Sequence, residues 1–339
     1  MKRALMIVGV VALAMASAAY ATKPGSGSTT GTASVFAPNP VQDLGIQTLT
    51  DQKDAAAAVP AAAYHSVTLT DLDGSGTLSG KWAVVRSETG TPAYSPTNTF
   101  VYDRHQDQFE QVMAYYWVTE AQKYIQSLGF GSTRRAVNMR PQRLRINQWG
   151  VDNSFATDKQ DEIRLGKGGV DDAEDGEVIL HEYGHAIHFA QGFQFSTEEA
   201  GAISEGFGDY WAVTVSEVVR QRLGLPASPD PACVADWDST SYTASAPHCL
   251  RRLDEGKTYP GDLVGEVHAD GEIWSQALWD IRGAIGNVKA DTAILEGQFD
   301  FDGGTMPALA ADIVAAAKSL YGQPTADAVT AAFQARGIL

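Results

Sequence analysis

The segment His181-Glu-Tyr-Gly-His185 constrains this chain more than any other. Residues four apart on an α-helix lie one turn apart on one face. Two imidazoles so placed can reach a single Zn²⁺, and Glu182 lies beside that face, where it can activate an attacking water. The flanks agree with a helix. Asp171, Asp172, Glu174 and Asp175 precede it and can cap its free N–H groups and oppose its dipole, and Gly192 follows as a stop. Two ordinary histidines on a surface or core helix are the alternative. Gly184 argues against it, because a mid-helix glycine costs about 1 kcal/mol relative to alanine and needs a reason such as close helix packing.

Zinc that keeps one position for water needs a third protein ligand. His188 shares a helix face with His181 but sits about two turns along, so it reads as packing or as a support behind a ligand. Six positions past His185, where a third histidine would suit, stands Gln191. The better candidate is Glu205 in Ala200-Gly-Ala-Ile-Ser-Glu-Gly-Phe-Gly-Asp209. Glu205 and Asp209 are again four apart. Asp209 can accept a hydrogen bond from the far nitrogen of a liganding histidine and so fix its tautomer. A solvated acidic face is the competing reading. Ala202, Ile203, Phe207, Tyr210 and Trp211 make the helix too apolar for that, so its carboxylates need inward partners.

With these residues in hand, the stretch Asn153 to Asp209 resembles the thermolysin-like and fungalysin-like zinc peptidases, the gluzincins. Val35-Phe-Ala-Pro-Asn-Pro-Val and Asn147-Gln-Trp-Gly-Val-Asp-Asn-Ser-Phe look closer to fungalysin-like bacterial proteins. Glu266-Val-His268-Ala-Asp-Gly-Glu-Ile-Trp resembles the segment with the family's transition-state histidine. The resemblance implies an α+β, two-lobed metallopeptidase. A β-rich N-terminal lobe would carry an edge strand and the zinc helix, and a mostly helical C-terminal lobe would follow. It implies zinc on His181, His185 and Glu205, with Glu182 as base, His268 as oxyanion donor and Asp209 behind a ligand. Asn153 and Ala156 would hold an extended peptide, and Arg251 or Arg252, with Arg252 preferred, would hold a substrate carbonyl. Asp262 or Glu266 would orient His268. It also implies structural calcium near Asp171 to Glu177, where helix capping with solvated charge is the equal alternative. Two features depart from the family. Ser196 stands where a tyrosine donor belongs, and only a short leader occupies the place of a large inhibitory propeptide.

Lys2 and Arg3, the apolar run Ala4 to Ala16 and Ala19-Tyr-Ala21 read as a signal peptide over 1–21. The expected product is therefore secreted, into the periplasm or outside the cell. In that setting Cys233 and Cys249 pair naturally, two buried thiols being the alternative. A net charge of −16 argues against nucleic acid and anionic membranes as partners. Protein or peptide substrates and a monomeric state are expected.

The domain reading is a leader over 22–63, a β-rich lobe over 64–192 and a helical lobe over 193–339. Thr22 to Ser34, rich in Gly, Ser and Thr, reads as flexible. His65 to Arg86 reads as strand, turn, strand around Asp71-Leu-Asp-Gly-Ser-Gly. A calcium loop there fails because its twelfth position is Trp82. Helices are predicted over Phe109–Leu128, Glu177–Gln191, Ala200–Leu223, Asp270–Ile285, Pro307–Tyr321 and Thr325–Arg336. Short strands are predicted at Arg143–Asn147 and Glu162–Leu165. Two other functions remain: a catalytically silent binding protein, disfavoured because all four primary residues are present, and an aminopeptidase, for which no anchor for a substrate amine is visible.

Overall fold

A computed structural model describes residues 28–86, 90–147 and 150–339. The signal peptide expected over 1–21 lies outside the described residues, as do Gln148 and Trp149. In chain order the elements are β1 (Gly31–Val35), α1 (Pro40–Leu44), β2 (His65–Leu69), β3 (Ala83–Val85), β4 (Thr99–Phe100), α2 (Asp107–Ser127), β5 (Gln142–Ile146), β6 (Phe155–Thr157) and β7 (Glu162–Leu165). Then come α3 (Gly176–Gln191), α4 (Glu198–Arg222), β8 (Cys233–Val234), β9 (Arg251–Arg252), α5 (Val267–Ile285), α6 (Asn287–Gly297), α7 (Met306–Tyr321) and α8 (Gln323–Ala335). Strands thus dominate before α3 and helices after it, the order expected from the sequence.

The sheet that positions the cleft runs β3-β5-β7-β6. β3, β5 and β7 are parallel, while β6 pairs antiparallel with β7, Ala156 opposite Ile163. β6 is therefore the edge strand of this sheet. A second sheet runs β2-β1-β4. α2 contacts β1, β3, β5 and α3, so it ties both sheets to the helical half. Its Phe109, Val112, Met113, Trp117 and Ile125 are fully buried.

Two expectations change. The flexible leader ends early, because Gly31–Val35 pairs with His65–Leu69 along its whole length. The segment over 65–86 keeps the expected glycine turn, where Leu72 bridges Gly80 antiparallel and Gly74 and Gly76 have positive φ, but β2 and β3 do not pair: β2 joins β1, whereas β3 joins β5 in the other sheet. Alternation reveals a strand with one buried face but not which strand lies beside it. Cys233 and Cys249 are bonded. In the chain-entropy model, closing a loop of this size contributes about 3 kcal/mol. Among the described residues no helix is long and apolar enough to cross a membrane.

Candidate metal centre

α3 starts where the Asp175 side chain accepts from Glu177 N at 2.9 Å, and it stops at Gly192 in the left-handed region, φ 77°. α4 starts where Thr197 Oγ1 accepts from Ala200 N at 3.0 Å. The two helices touch where neither has a side chain. A Cβ on Gly184 would stand 2.9 Å from Gly208 Cα, and one on Gly208 would stand 2.7 Å from His181 Nδ1. α5 is seated in the same way, since a Cβ on Gly206 would meet Gly271 O at 2.2 Å. Glycine is kept in these helices despite its propensity cost because the backbones need the space.

This packing brings His181, His185 and Glu205 together, one ligand atom of each within 4.8 Å of the others. His181 Nε2 lies 3.2 Å from Glu205 Oε2, and His185 Nε2 lies 3.5 Å from Glu205 Oε1. Ligands about 2.0–2.1 Å from a tetrahedral zinc lie about 3.3 Å apart along each edge. The separations to Glu205 fit that figure. Both Nδ1 atoms are occupied elsewhere, which leaves Nε2 as the inward donor. His181 Nδ1 is 2.9 Å from Asp209 Oδ1, and His185 Nδ1 is 2.8 Å from Ser204 Oγ. Arg251 in turn clamps Asp209, with Nε 2.7 Å from Oδ2 and Nη2 2.8 Å from Oδ1.

The electrostatics follow from this wiring. Burial opposes charge on His181, yet its bonds to Asp209 and Glu205 push its pKa up to about 10. Burial pushes His185 down to about 4. Glu205 is buried too, but His185, His181 and His268 hold it well below the usual carboxylate range. Burial pushes Glu182 up to about 7; His181 and the Ala156 N–H favour its charged form, and Glu205 and Asp172 oppose it.

These groups line one cleft of about 440 Å³ that also includes Asn153, Ala156, Arg251 and His268. His268 Nε2 is 3.4 Å from Glu205 Oε2, and Glu266 Oε1 holds His268 Nδ1 at 2.7 Å. Of the two orienting groups expected, Glu266 therefore contacts His268, while Asp262 accepts from Thr258 instead. Arg252 is a correction. Its guanidinium is tied to Asp230 and Asp254 and does not line the cleft, whereas Arg251 does. Successive side chains of a strand point to opposite faces, so the two-residue β9 sends one arginine in and one out. Ser196 bonds the carbonyls of Asp302 and Gly303. His188 is fully buried, stacked between Phe193 and Phe207.

The acidic run before α3 is buried rather than solvated. Asp175 caps the helix and also accepts from Asn39 and from Asp238 N. Glu177 accepts from Gln42, Ser216 and Ala235 N, and Glu174 pairs with Arg104 at 2.8 Å. The oxygens of Asp175 and Glu177 are thus engaged by protein donors, whereas Asp171 Oδ2, Asp172 Oδ1 and Glu174 Oε1 have no hydrogen-bond partner among the described residues.

No family model matches the sequence, and no curated protein matches it. A solved structure does match. It is the precursor of protealysin, a metalloproteinase from Serratia proteamaculans, with a TM-score of 0.58 over 78% of this chain and 90% of that one, at 15% identity. The chain shares its overall fold with that metalloproteinase precursor. At that identity the likeness concerns architecture, and it carries nothing specific to the fungalysin-like branch.

Within the centre, sequence reasoning missed two supports. One is Ser204, which bonds both His185 and His188. Its place next to Glu205 on an inward-facing helix was the available signal. The other is the clamp of Arg251 on Asp209.

Proposed function

We propose that this protein is a secreted zinc metalloendopeptidase of the thermolysin-like type. The observation that carries the reading is the convergence of His181 Nε2, His185 Nε2 and the Glu205 carboxylate beside Glu182 in one cleft. Two imidazoles and a carboxylate are a donor set that zinc accepts, with a fourth position left for chemistry. Bound there, zinc would supply a Lewis acid that polarises a carbonyl and acidifies water.

The chain's own residues do the rest. As an edge strand, β6 suits pairing with an extended peptide, with Asn153 and Ala156 beside the centre. Glu182 takes a proton from the attacking water and returns it to the leaving amine. His268, oriented by Glu266, donates to the carbonyl oxygen as charge builds there. Asp209, itself held by Arg251, keeps His181 in the tautomer that directs Nε2 inward. The Cys233–Cys249 bond agrees with export, because such bonds persist in oxidising compartments.

Metal analysis of the purified mature protein beside Glu205→Ala, with casein hydrolysis measured with and without chelator, tests the reading. About one zinc per chain is expected in the parent and a large loss in the variant. Glu182→Gln should keep its zinc and lose at least about a hundredfold in turnover. Full activity in that variant removes Glu182 as base. Bound zinc with no hydrolysis of casein or of amino-terminal substrates would favour a silent binding protein, and release of amino-terminal residues alone would favour an aminopeptidase.

A further inference from the structure

The cleft holds a second group of convergent side chains that the proposed chemistry does not use. Asp152, Asp172 and Asp238 each place one carboxylate oxygen within 4.8 Å of the others. Asp172 is 2% exposed and Asp238 4%. One oxygen of each, Oδ1, has no hydrogen-bond partner among the described residues. Both side chains line the cleft, together with Tyr242. The remaining donors are modest. The Ser154 hydroxyl donates to Asp172 Oδ2, and Tyr242 donates to Asp152 Oδ1 at 2.5 Å. Arg251, whose charge reaches Asp238, is committed to Asp209 by two bonds. Lys167 is committed to Asp107 and Asp171. Buried carboxylates without a counter-charge are costly. Burial accordingly pushes Asp172 up to about 7 and raises Asp238 as well. A cation brought in from outside would relieve both.

We propose that Asp152, Asp172 and Asp238 form a subsite for a basic substrate side chain, lysine or arginine, on the leaving-amine side of the cut. The inference rests on the peptidase reading and deepens it. Val178, Val234 and Leu250 line the same cleft and suit the methylene stem of such a side chain, while the carboxylates meet its head. The side of the cut follows from Glu182. That residue hands its proton to the leaving amine, and it lines the same cleft as Asp172 and Asp238. The other cation to weigh is calcium. It takes six to eight oxygens, and this trio has already given Asp172 Oδ2 and Asp152 Oδ1 to hydroxyl donors. An ammonium or guanidinium group needs only the acceptors that are left.

Two measurements test the subsite. In the first, the zinc-loaded protein digests a denatured protein substrate, and the new termini are read by mass spectrometry. In the second, fluorescence anisotropy follows binding to Glu182→Gln of matched peptides bearing Lys, Leu or Glu after the central bond; this needs no turnover. New amino termini should begin mainly with Lys or Arg. The Lys peptide should bind at least about tenfold tighter than the other two, and adding Asp172→Asn should erase that margin. Apolar new amino termini, or basic residues found only before the cut, overturn the subsite. So does terbium luminescence that calcium displaces in the parent and that Asp172→Asn abolishes, which would assign the trio to a divalent cation. Should Asp172→Asn not fold, the parent's digest decides. Absence of any cleavage with the lysine margin intact would overturn the peptidase reading and leave the subsite standing.

Discussion

The metal centre and the acidic nest before α3 are both buried and both rich in carboxylates, yet their charges behave in opposite ways. At the centre, His181, His268 and Arg251 face Glu205 and Asp209, and both acids are held well below the usual range. In the nest, burial dominates. It pushes Asp175 up to about 6, with Asn39 and backbone N–H groups as its main relief, and Glu177 up to about 8, with Asp175 adding repulsion. Depth alone therefore does not decide whether a carboxyl is charged. What decides it is whether cationic partners outweigh burial, as at Glu205 and Asp209, or do not, as with Arg104 beside Glu174, which still stands at about 8. The centre is organised to hold charge, whereas in the nest hydrogen bonds hold Asp175 and Glu177, and Arg104 on Glu174 and Lys167 on Asp171 offset burial only in part.

The sharpest way to break this contrast is to remove the centre's cation. Arg251→Ala leaves Asp209 buried without its clamp and should cost about 3–5 kcal/mol in denaturant unfolding. It should also lower zinc affinity about 10–100-fold in a competition assay. An unchanged midpoint would mean that Asp209 does not depend on Arg251. Next comes Gly184→Ala, whose new methyl would press on Gly208. A loss of about 1–3 kcal/mol is expected, with zinc affinity falling alongside.

A pH series probes the nest. Acids whose folded-state pKa lies above the unfolded value bind their protons more tightly when folded. Their contribution to stability is whole below about pH 4. It is lost as pH rises through 6 to 8, the folded-state values of Asp175, Asp172 and Glu177. The Tm of the metal-free protein, measured by differential scanning calorimetry, should fall across that interval. Asp175→Asn should flatten the decline. A Tm that rises across it would show that the nest is ionised and paired. The smallest expected effect is that of added calcium, which should leave Tm unchanged because the oxygens of Asp175 and Glu177 are already engaged and Glu174 is paired with Arg104.

Much of the frame was legible because helix periodicity is local. The observed α3, α4, α5, α7 and α8 lie within three residues of the predicted spans. α6 was missed. Gly286 before it offers no side-chain cap, and its buried residues include the small Ala290, Ala293 and Gly297. The grouping of His181, His185 and Glu205 was legible because four-residue spacing fixes a face. The choice between Arg251 and Arg252 was not, because the phase of a two-residue strand depends on contacts distant in sequence. Nor did the sequence reveal that the acids before α3 are buried. Their partners Asn39, Ser216 and Ala235 come from three other stretches of chain.

The bare contact between Gly184 and Gly208 has one more consequence. It works as a spacer of zero thickness that sets how far the two imidazoles stand from the opposing carboxylate. Ion affinity and helix closeness then become a single adjustable quantity, so any drift that separates these backbones loosens the grip on the ion by the same movement.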